Sequence, residues 1–489
     1  MTPWPASVFE VDDPTTATGR RLAIPDGTLP VASEVTIDPR GWNRADGFSP
    51  SAPIIMSFRA GVSPLGLPPA DNMDLSLSAD SATVILDMTS GEHVAHFAVV
   101  DPNDEALRLY PAQRLAAGHR YAVAITDRVL ARDGEPLDVP AGFAALRDGN
   151  LTDHHLLEAA RPRLDDVLDA LDDDGIDERD LLLAWDFTVA SESTELAALR
   201  DRVLVTPSFD LTIDRSARQR DGMRRITGSL TAPLVAGGSH RITWHALVPP
   251  CAHPGIALYG HALLGDAREV ETRGELAARS CRMLASVDLA GLSAHDEPAL
   301  LRMVVALDDD AIFATLAQGV IDQLALAHAL RSELATTTLA HIDSRDMIYI
   351  GASQFTGVLA LAPVSRGVLS GDAPITSRVL DRYRALLALA YPQPLDATLV
   401  GVLAQMRWDA FELMPHQPVL LVGPADPATA WHARSLALPV VAPAPFTPWG
   451  VAVGNPDTGV GIANKIHGYA PCCDQPPCVL TCSALPPSP

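Results

Sequence analysis

The segment Met347-Ile348-Tyr349-Ile350-Gly351-Ala352-Ser353-Gln354-Phe355-Thr356-Gly357 holds the side chain best placed to do chemistry. An apolar run suited to a buried strand breaks at Gly351, and an apolar helical run begins at Val358. A serine at the tip of so sharp a strand–turn–helix is exposed, and its hydroxyl can attack a carbonyl carbon. The turn calls for small residues two before and two after the serine. Gly351 meets that demand and Phe355 does not.

Three further groups could complete such a site. Leu258-Tyr259-Gly260-His261-Ala262-Leu263-Leu264-Gly265 reads as a strand end followed by a loop of small residues. Backbone N–H groups near Ala262 and Leu263, with that of Gln354, could receive the negative charge that develops on an attacked carbonyl oxygen. Read more plainly, this is a strand–helix turn with His261 capping nearby carbonyls. Asp426 follows the apolar run Val419–Gly423 and could orient a histidine; it could equally cap a helix over 427–436. A base should come after the last strand, and His467 is the histidine found there, because His432 falls too early. Otherwise His467 is a surface residue on the tail. Asp457 is a second candidate acid.

The elements that must position these groups change character along the chain. Residues 1–45 read as an extended lead-in. Residues 46–150 carry short strands separated by turn residues, the pattern of a β-sandwich, with a hairpin turn at Asp133-Gly134. Residues 151–180 have helical spacing (Leu164, Val167, Leu168, Leu171) and read as a helical linker. From Leu181 to about 470, apolar runs alternate with helices, including one over Glu269–Leu284 and a long one over Ala311–Leu334. That alternation predicts a mostly parallel sheet with helices on both faces. Gly371–Trp408 reads as a helical cap, with Tyr383, Tyr391, Met406 and Trp408 as candidate pocket residues, core packing being the plainer reading of each. Residues 471–489 form a Cys/Pro-rich tail.

Composition narrows the classes. Of 489 residues, 47% are hydrophobic and 20% charged, a folding composition long enough for more than one domain. The net charge of −24 disfavours nucleic acid and anionic lipid surfaces as partners. No uninterrupted apolar run is long enough for a transmembrane helix. The N-terminus has no signal-peptide pattern, so the chain is cytoplasmic or carries an export signal outside these residues. Cys251 and Cys281 stand alone, while Cys472, Cys473, Cys478 and Cys482 crowd the tail without the spacing of a zinc knuckle. The Asp172–Gly175 cluster fails the calcium-loop pattern. Neither metal nor organic cofactor is expected.

Taken in order, the motifs resemble those of large two-domain bacterial α/β-hydrolases of the esterase and lipase type, similar to virulence-factor lipases. Arg120-Tyr121-Ala122, Ala144–Gly149 and Leu183–Ser191 carry the resemblance in the first half. Tyr259–Gly265 resembles the family's Tyr-Gly-His-Gly-Leu-Leu-Gly, and Gly351-Ala352-Ser353-Gln354 its Gly-Asn-Ser-Gln-Gly-Gly. The resemblance implies an all-β immunoglobulin-like sandwich before an α/β-hydrolase domain, and export to the cell envelope or beyond. It further implies hydrolysis of a small-molecule or lipid ester by Ser353, Asp426 and His467, with Ala262, Leu263 and Gln354 forming the oxyanion hole. Two family glycines are replaced, by Ala262 and Phe355. The alternative is a hydrolase-fold protein that has become a surface or binding protein; an amidase or peptidase would use the same triad.

Overall fold

The computed structural model describes residues 3–32, 35–101, 106–192, 194–261, 264–306, 308–352 and 356–370. Further along it describes 391, 393, 395–396, 399–400, 403, 419–422 and 440–441. The chain divides into two compact units: Met1–Glu192 with Val305–Leu307 and Leu380–Asp409, and the remainder.

The first unit has two larger antiparallel sheets, besides two two-stranded ones, Glu10–Asp12 with Arg20–Leu22 and Val31–Ala32 with Val35–Thr36. Strands β1 (Ile54–Ser57), β5 (Ala106–Pro111) and β4 (His96–Asp101) form one, in the order β1-β5-β4. The other runs β7-β6-β2-β3, from β2 (Thr83–Asp87), β3 (Glu92–His93), β6 (Arg120–Thr126) and β7 (Leu181–Thr188). Helices α1 (Ala141–Arg147) and α2 (His155–Asp173) cover one face of the second sheet. Phe143, Leu146, Leu164, Val167, Leu168 and Leu171 there meet Val84, Leu86, Ala122, Ala124 and Ala184 in one core. The expected linker over 151–180 is thus part of this core: the apolar stripe that predicts the helix is what buries it. Leu181–Thr188, expected to open the second domain, instead pairs along β6 with Tyr121 opposite Phe187.

The lead-in is clasped to the same unit. Trp4 exchanges backbone bonds with Ile55, and the buried Glu10 carboxylate accepts from the Thr188 amide at 2.7 Å and from Arg20 and Arg163. The stretch expected to cap the hydrolase half also clusters with this unit. Tyr391, Val400 and Leu403 are buried, and the Leu403 carbonyl accepts from Trp42 Nε1 at 3.1 Å. Tyr383, Met406 and Trp408 lie outside the described residues.

The second unit is built on a nine-stranded sheet. Its strands are β8 (Thr212–Arg218), β9 (Arg224–Pro233), β10 (Ser239–Val248), β11 (Gly255–Tyr259), β12 (Arg282–Val287), β13 (Met347–Ala352), β14 (Gly367–Ser370), β15 (Val419–Val422) and β16 (Val440–Val441). Their order is β8-β9-β10-β12-β11-β13-β14-β15-β16. The first three are antiparallel, β10 runs against β12, and all pairs from β12 to β16 are parallel. Every residue of β11 and β12 is buried, as central parallel strands covered on both faces require.

The helix expected over Glu269–Leu284 is shorter than its pattern. After α3 (Thr194–Leu204), which precedes β8, a 3-10 turn over Ala267–Thr272 leads into α4 (Gly274–Ser280), and Cys281 closes it with a left-handed backbone, φ 48°. Met283 and Leu284 belong to β12, where they pair with Ile256 and Ala257. Cys281 is disulfide-bonded to Cys251, with a Cα–Cα separation of 5.9 Å, so the two cysteines read as solitary form a pair. Helix α5 (Glu297–Ala306) is followed by α6 (Asp309–Ser332), which is long and apolar enough to cross a membrane, but 67% of its apolar window is buried within the fold.

Candidate active site

Strand β11 lies between β12 and β13. After β11 the chain turns to one side to form β12, and it then crosses back to form β13 on the other side. The loops leaving β11 and β13 therefore diverge. A crevice outside the carboxyl ends of parallel strands at such a switch point is the usual ligand site of this sheet type. The strand ends stay in register up to it: Tyr259 pairs with Ile350, and the Gly260 amide donates to the Ile350 carbonyl at 2.9 Å.

Tyr349 fills the floor beneath. Its phenol is fully buried, and its hydroxyl has no hydrogen-bond partner among the described residues. A β-carbon built on Gly351 would stand 2.5 Å from Oη and 2.7 Å from Cζ, and one built on Gly260 would strike the same oxygen. The two glycines thus form the bed on which the ring lies. Burial pushes the phenol well above its ordinary titration range, so it stays protonated. Tyr259 is likewise raised by burial and by Glu269, whose Oε2 accepts from its hydroxyl at 3.2 Å.

His261 anchors the loop after β11. Its ring is wholly buried, and Nε2 accepts the Leu289 amide at 2.9 Å and lies 3.2 Å from Ser293 Oγ. An acceptor nitrogen carries no proton, so this bond requires the neutral ring with hydrogen on Nδ1. The Leu264 amide adds a 2.7 Å bond to the Leu292 carbonyl, and the Ala294 amide bonds the Gly265 carbonyl. His261 therefore accepts from a backbone amide through Nε2. Leu264 holds φ at 60°, a conformation that costs a non-glycine residue about 1–2 kcal/mol. Ser293 and His261 resemble a nucleophile–base pair only in distance: both are buried, and Nε2 is already engaged by the Leu289 amide.

On the other side of the crevice, β13 ends at Ala352 and α7 (Thr356–Leu361) begins four residues later. Leu359 of α7 lies where a side chain on Gly367 would have to be, which seats the short helix on β14. Strand β15, which precedes Asp426 in sequence, lies beside β14, with Val419 opposite Gly367. Ser353, Gln354, Phe355, Ala262, Leu263, Asp426 and His467 all lie outside the described residues. Elsewhere, His93, His119, His240 and His245 each bond a carboxylate, and none bonds a serine hydroxyl among the described residues. Nor is there a cluster of three or more metal-ligating side chains among them. Sequence reasoning missed Tyr349, Leu289 and Ser293. Strand alternation, which puts Tyr349 and Gly351 on one face, could have flagged the first.

The order of the parallel core, with its middle strands exchanged and an antiparallel strand beside them, is that of an α/β-hydrolase sheet. No family model and no curated protein matches the chain. Among solved structures it resembles acetyl xylan esterase 1 from Thermoanaerobacterium sp. at 15% identity, over 52% of this chain and 86% of that one, with a TM-score of 0.36. An acetyl xylan esterase from Paenibacillus sp. R4 matches at 13% identity, over 57% and 93%, with a TM-score of 0.38. The rice cell wall degrading esterase LipA from Xanthomonas oryzae matches at 13% identity, over 56% and 95%, with a TM-score of 0.31. At scores this low the likeness carries no argument about chemistry, which must come from the residues.

Proposed function

We propose that the chain is a serine hydrolase acting on carboxylic esters. The observation that carries this reading is the switch point in strand order at β11 and β13. The His261-anchored chain leaves β11 on one side, and on the other β13 ends at Ala352, four residues before α7 begins. Gly351-x-Ser353 falls at that junction in sequence.

In this reading His467, oriented by Asp426, takes the proton of Ser353 as Oγ bonds to the ester carbonyl carbon. The carbonyl oxygen becomes an oxyanion that accepts from the amide of Gln354 and from the loop at Ala262 and Leu263. Collapse of the intermediate expels the alcohol, which receives the proton from His467 and leaves an acyl-enzyme. Water then attacks by the same route and releases the acid. The substrate would be a small-molecule or lipid ester.

Two companion proposals concern context. The two larger antiparallel sheets of the first unit suit an immunoglobulin-like sandwich. The Cys251–Cys281 disulfide suits a chain that folds in an oxidising compartment, in keeping with export.

Phe355 favours a second reading. A bulky residue two positions past the nucleophile crowds helix against strand, as it would in a hydrolase scaffold kept for binding. A fluorophosphonate probe decides between them. Covalent labelling that disappears in Ser353→Ala supports the hydrolase; absence of labelling where a control esterase labels supports the binding protein.

A further inference from the structure

The β8–β9 hairpin is a basic edge on an acidic molecule. The chain has 36 basic and 60 acidic residues, yet Thr212–Arg225 carries five arginines against two aspartates. Strand β8 is the terminal strand of the nine-stranded sheet, and its last five residues are exposed. One side of its backbone therefore has no strand beside it among the described residues. The two aspartates are occupied locally: Asp214 accepts from the Thr212 and Ser229 hydroxyls, and Asp221 from the Met223 amide. Arg225 pairs with Glu271. The guanidinium groups of Arg215, Arg218, Arg220 and Arg224 have no ion pair or hydrogen bond among the described residues.

Placement sharpens the point. Arg218 stands directly opposite Arg224 across the hairpin, where like charges destabilise. The tip is a fixed structure, since the Gln219 amide bonds the Met223 carbonyl at 2.7 Å and Met223 is buried. Charged edges commonly guard a sheet against pairing with another. A guard needs charge along the strand; it does not need two guanidiniums opposed across it, nor a third, Arg220, beyond its end.

We propose that this edge receives an extended acidic polypeptide segment, added as a further strand along β8, with its carboxylates on Arg215, Arg218, Arg220 and Arg224. A peptide uses both features, because backbone groups complete the ladder and carboxylates take bidentate bonds from guanidinium. An anionic bilayer uses only the charge and meets the repulsion of the whole −24 molecule. A short peptide meets only charges within about 8 Å at physiological ionic strength. The acidic helix α2 of a second copy cannot serve, since a helix has no free ladder to offer.

The test is fluorescence anisotropy with a labelled peptide of about twelve residues, built of alternating glutamate pairs and valine pairs so that both faces of the added strand carry carboxylates, a length that spans the edge. Saturable binding is expected, weakening as salt rises. It should fall by about tenfold or more in the quadruple variant Arg215→Glu, Arg218→Glu, Arg220→Glu, Arg224→Glu. Arg220→Glu alone, at the exposed tip, should weaken binding without altering the melting curve. A peptide N-methylated at alternate amides should not bind. The proposal is overturned by absence of saturable binding, by equal binding of the N-methylated peptide, or by binding that survives charge reversal. Wild-type binding to phosphatidylglycerol vesicles but not to the peptide would overturn it in favour of a lipid surface.

Discussion

The hydroxyl of Tyr349 stands 2.5 Å from where a β-carbon on Gly351 would be. The glycine of the candidate elbow therefore makes room for a tyrosine two residues earlier on the same strand face. Gly351→Ala should destabilise the protein by about 1–3 kcal/mol through overpacking. Tyr349→Val, which vacates the space, should absorb much of that cost. A double-mutant cycle on urea midpoints would show it, and strict additivity of the two changes would sink the account.

His261 is predicted to hold the loop after β11 through one acceptor atom. His261→Leu keeps an apolar side chain but leaves the buried Leu289 amide unpaired, at a cost of about 1–3 kcal/mol. If the esterase reading is right, fluorophosphonate labelling should also slow. A variant with wild-type stability would show that Nε2 is not what fastens the loop.

Cys251 and Cys281 close a loop with a sequence separation of 30, which corresponds to about 3–4 kcal/mol of stabilisation by constraint of the unfolded chain. Cys251→Ser with Cys281→Ser should lower the stability by that order. Adding a dithiol reductant to the denaturation assay should bring the wild type to the same midpoint. A reductant-insensitive midpoint would contradict the bond.

His96 supplies a pH dependence. It is buried between the Thr83 hydroxyl and the Val94 carbonyl, and burial lowers its pKa from 6.5 to about 4. Above pH 6.5 the ring is neutral in both folded and unfolded chains and adds no pH dependence. As pH falls from 6.5 towards 4 the unfolded chain binds a proton that the folded one refuses, so stability is lost, by about 3 kcal/mol in all. Below 4 both forms are protonated and this loss stops growing. His96→Gln should lose less stability than the wild type between pH 7 and pH 4. Parallel curves would refute the assignment.

Much of the architecture was legible in the sequence because apolar spacing follows from backbone geometry. Short apolar runs at Thr83–Asp87 and Tyr121–Ile125, continuous runs at Ile256–Tyr259 and Met347–Ile350, the helical stripe of α2 and the long apolar helix α6 all lie where their patterns put them. Such patterns say which face of an element is buried but not against what. The α2 stripe therefore read as a linker, and only the structure set it on β2, β6 and β7. Leu181–Thr188 opened a new domain in sequence and closed the old sheet in space, since strand pairing depends on a partner some sixty positions away. Cys251 and Cys281 become a pair only when α4 ends at Cys281.

The candidate site divides along the same line. The sequence alone determined the order of its motifs: glycine and histidine after one strand, glycine and serine after another. It could not determine that β11 and β13 are neighbours, because the chain visits β12 between them. Tertiary structure decided that adjacency. With it came the switch point, the phenol of Tyr349 lying across Gly260 and Gly351, and the reach of His261 to the Leu289 amide. The physical reason is that local spacing fixes which way a side chain faces, whereas what it meets depends on sheet order, a long-range property of the whole chain.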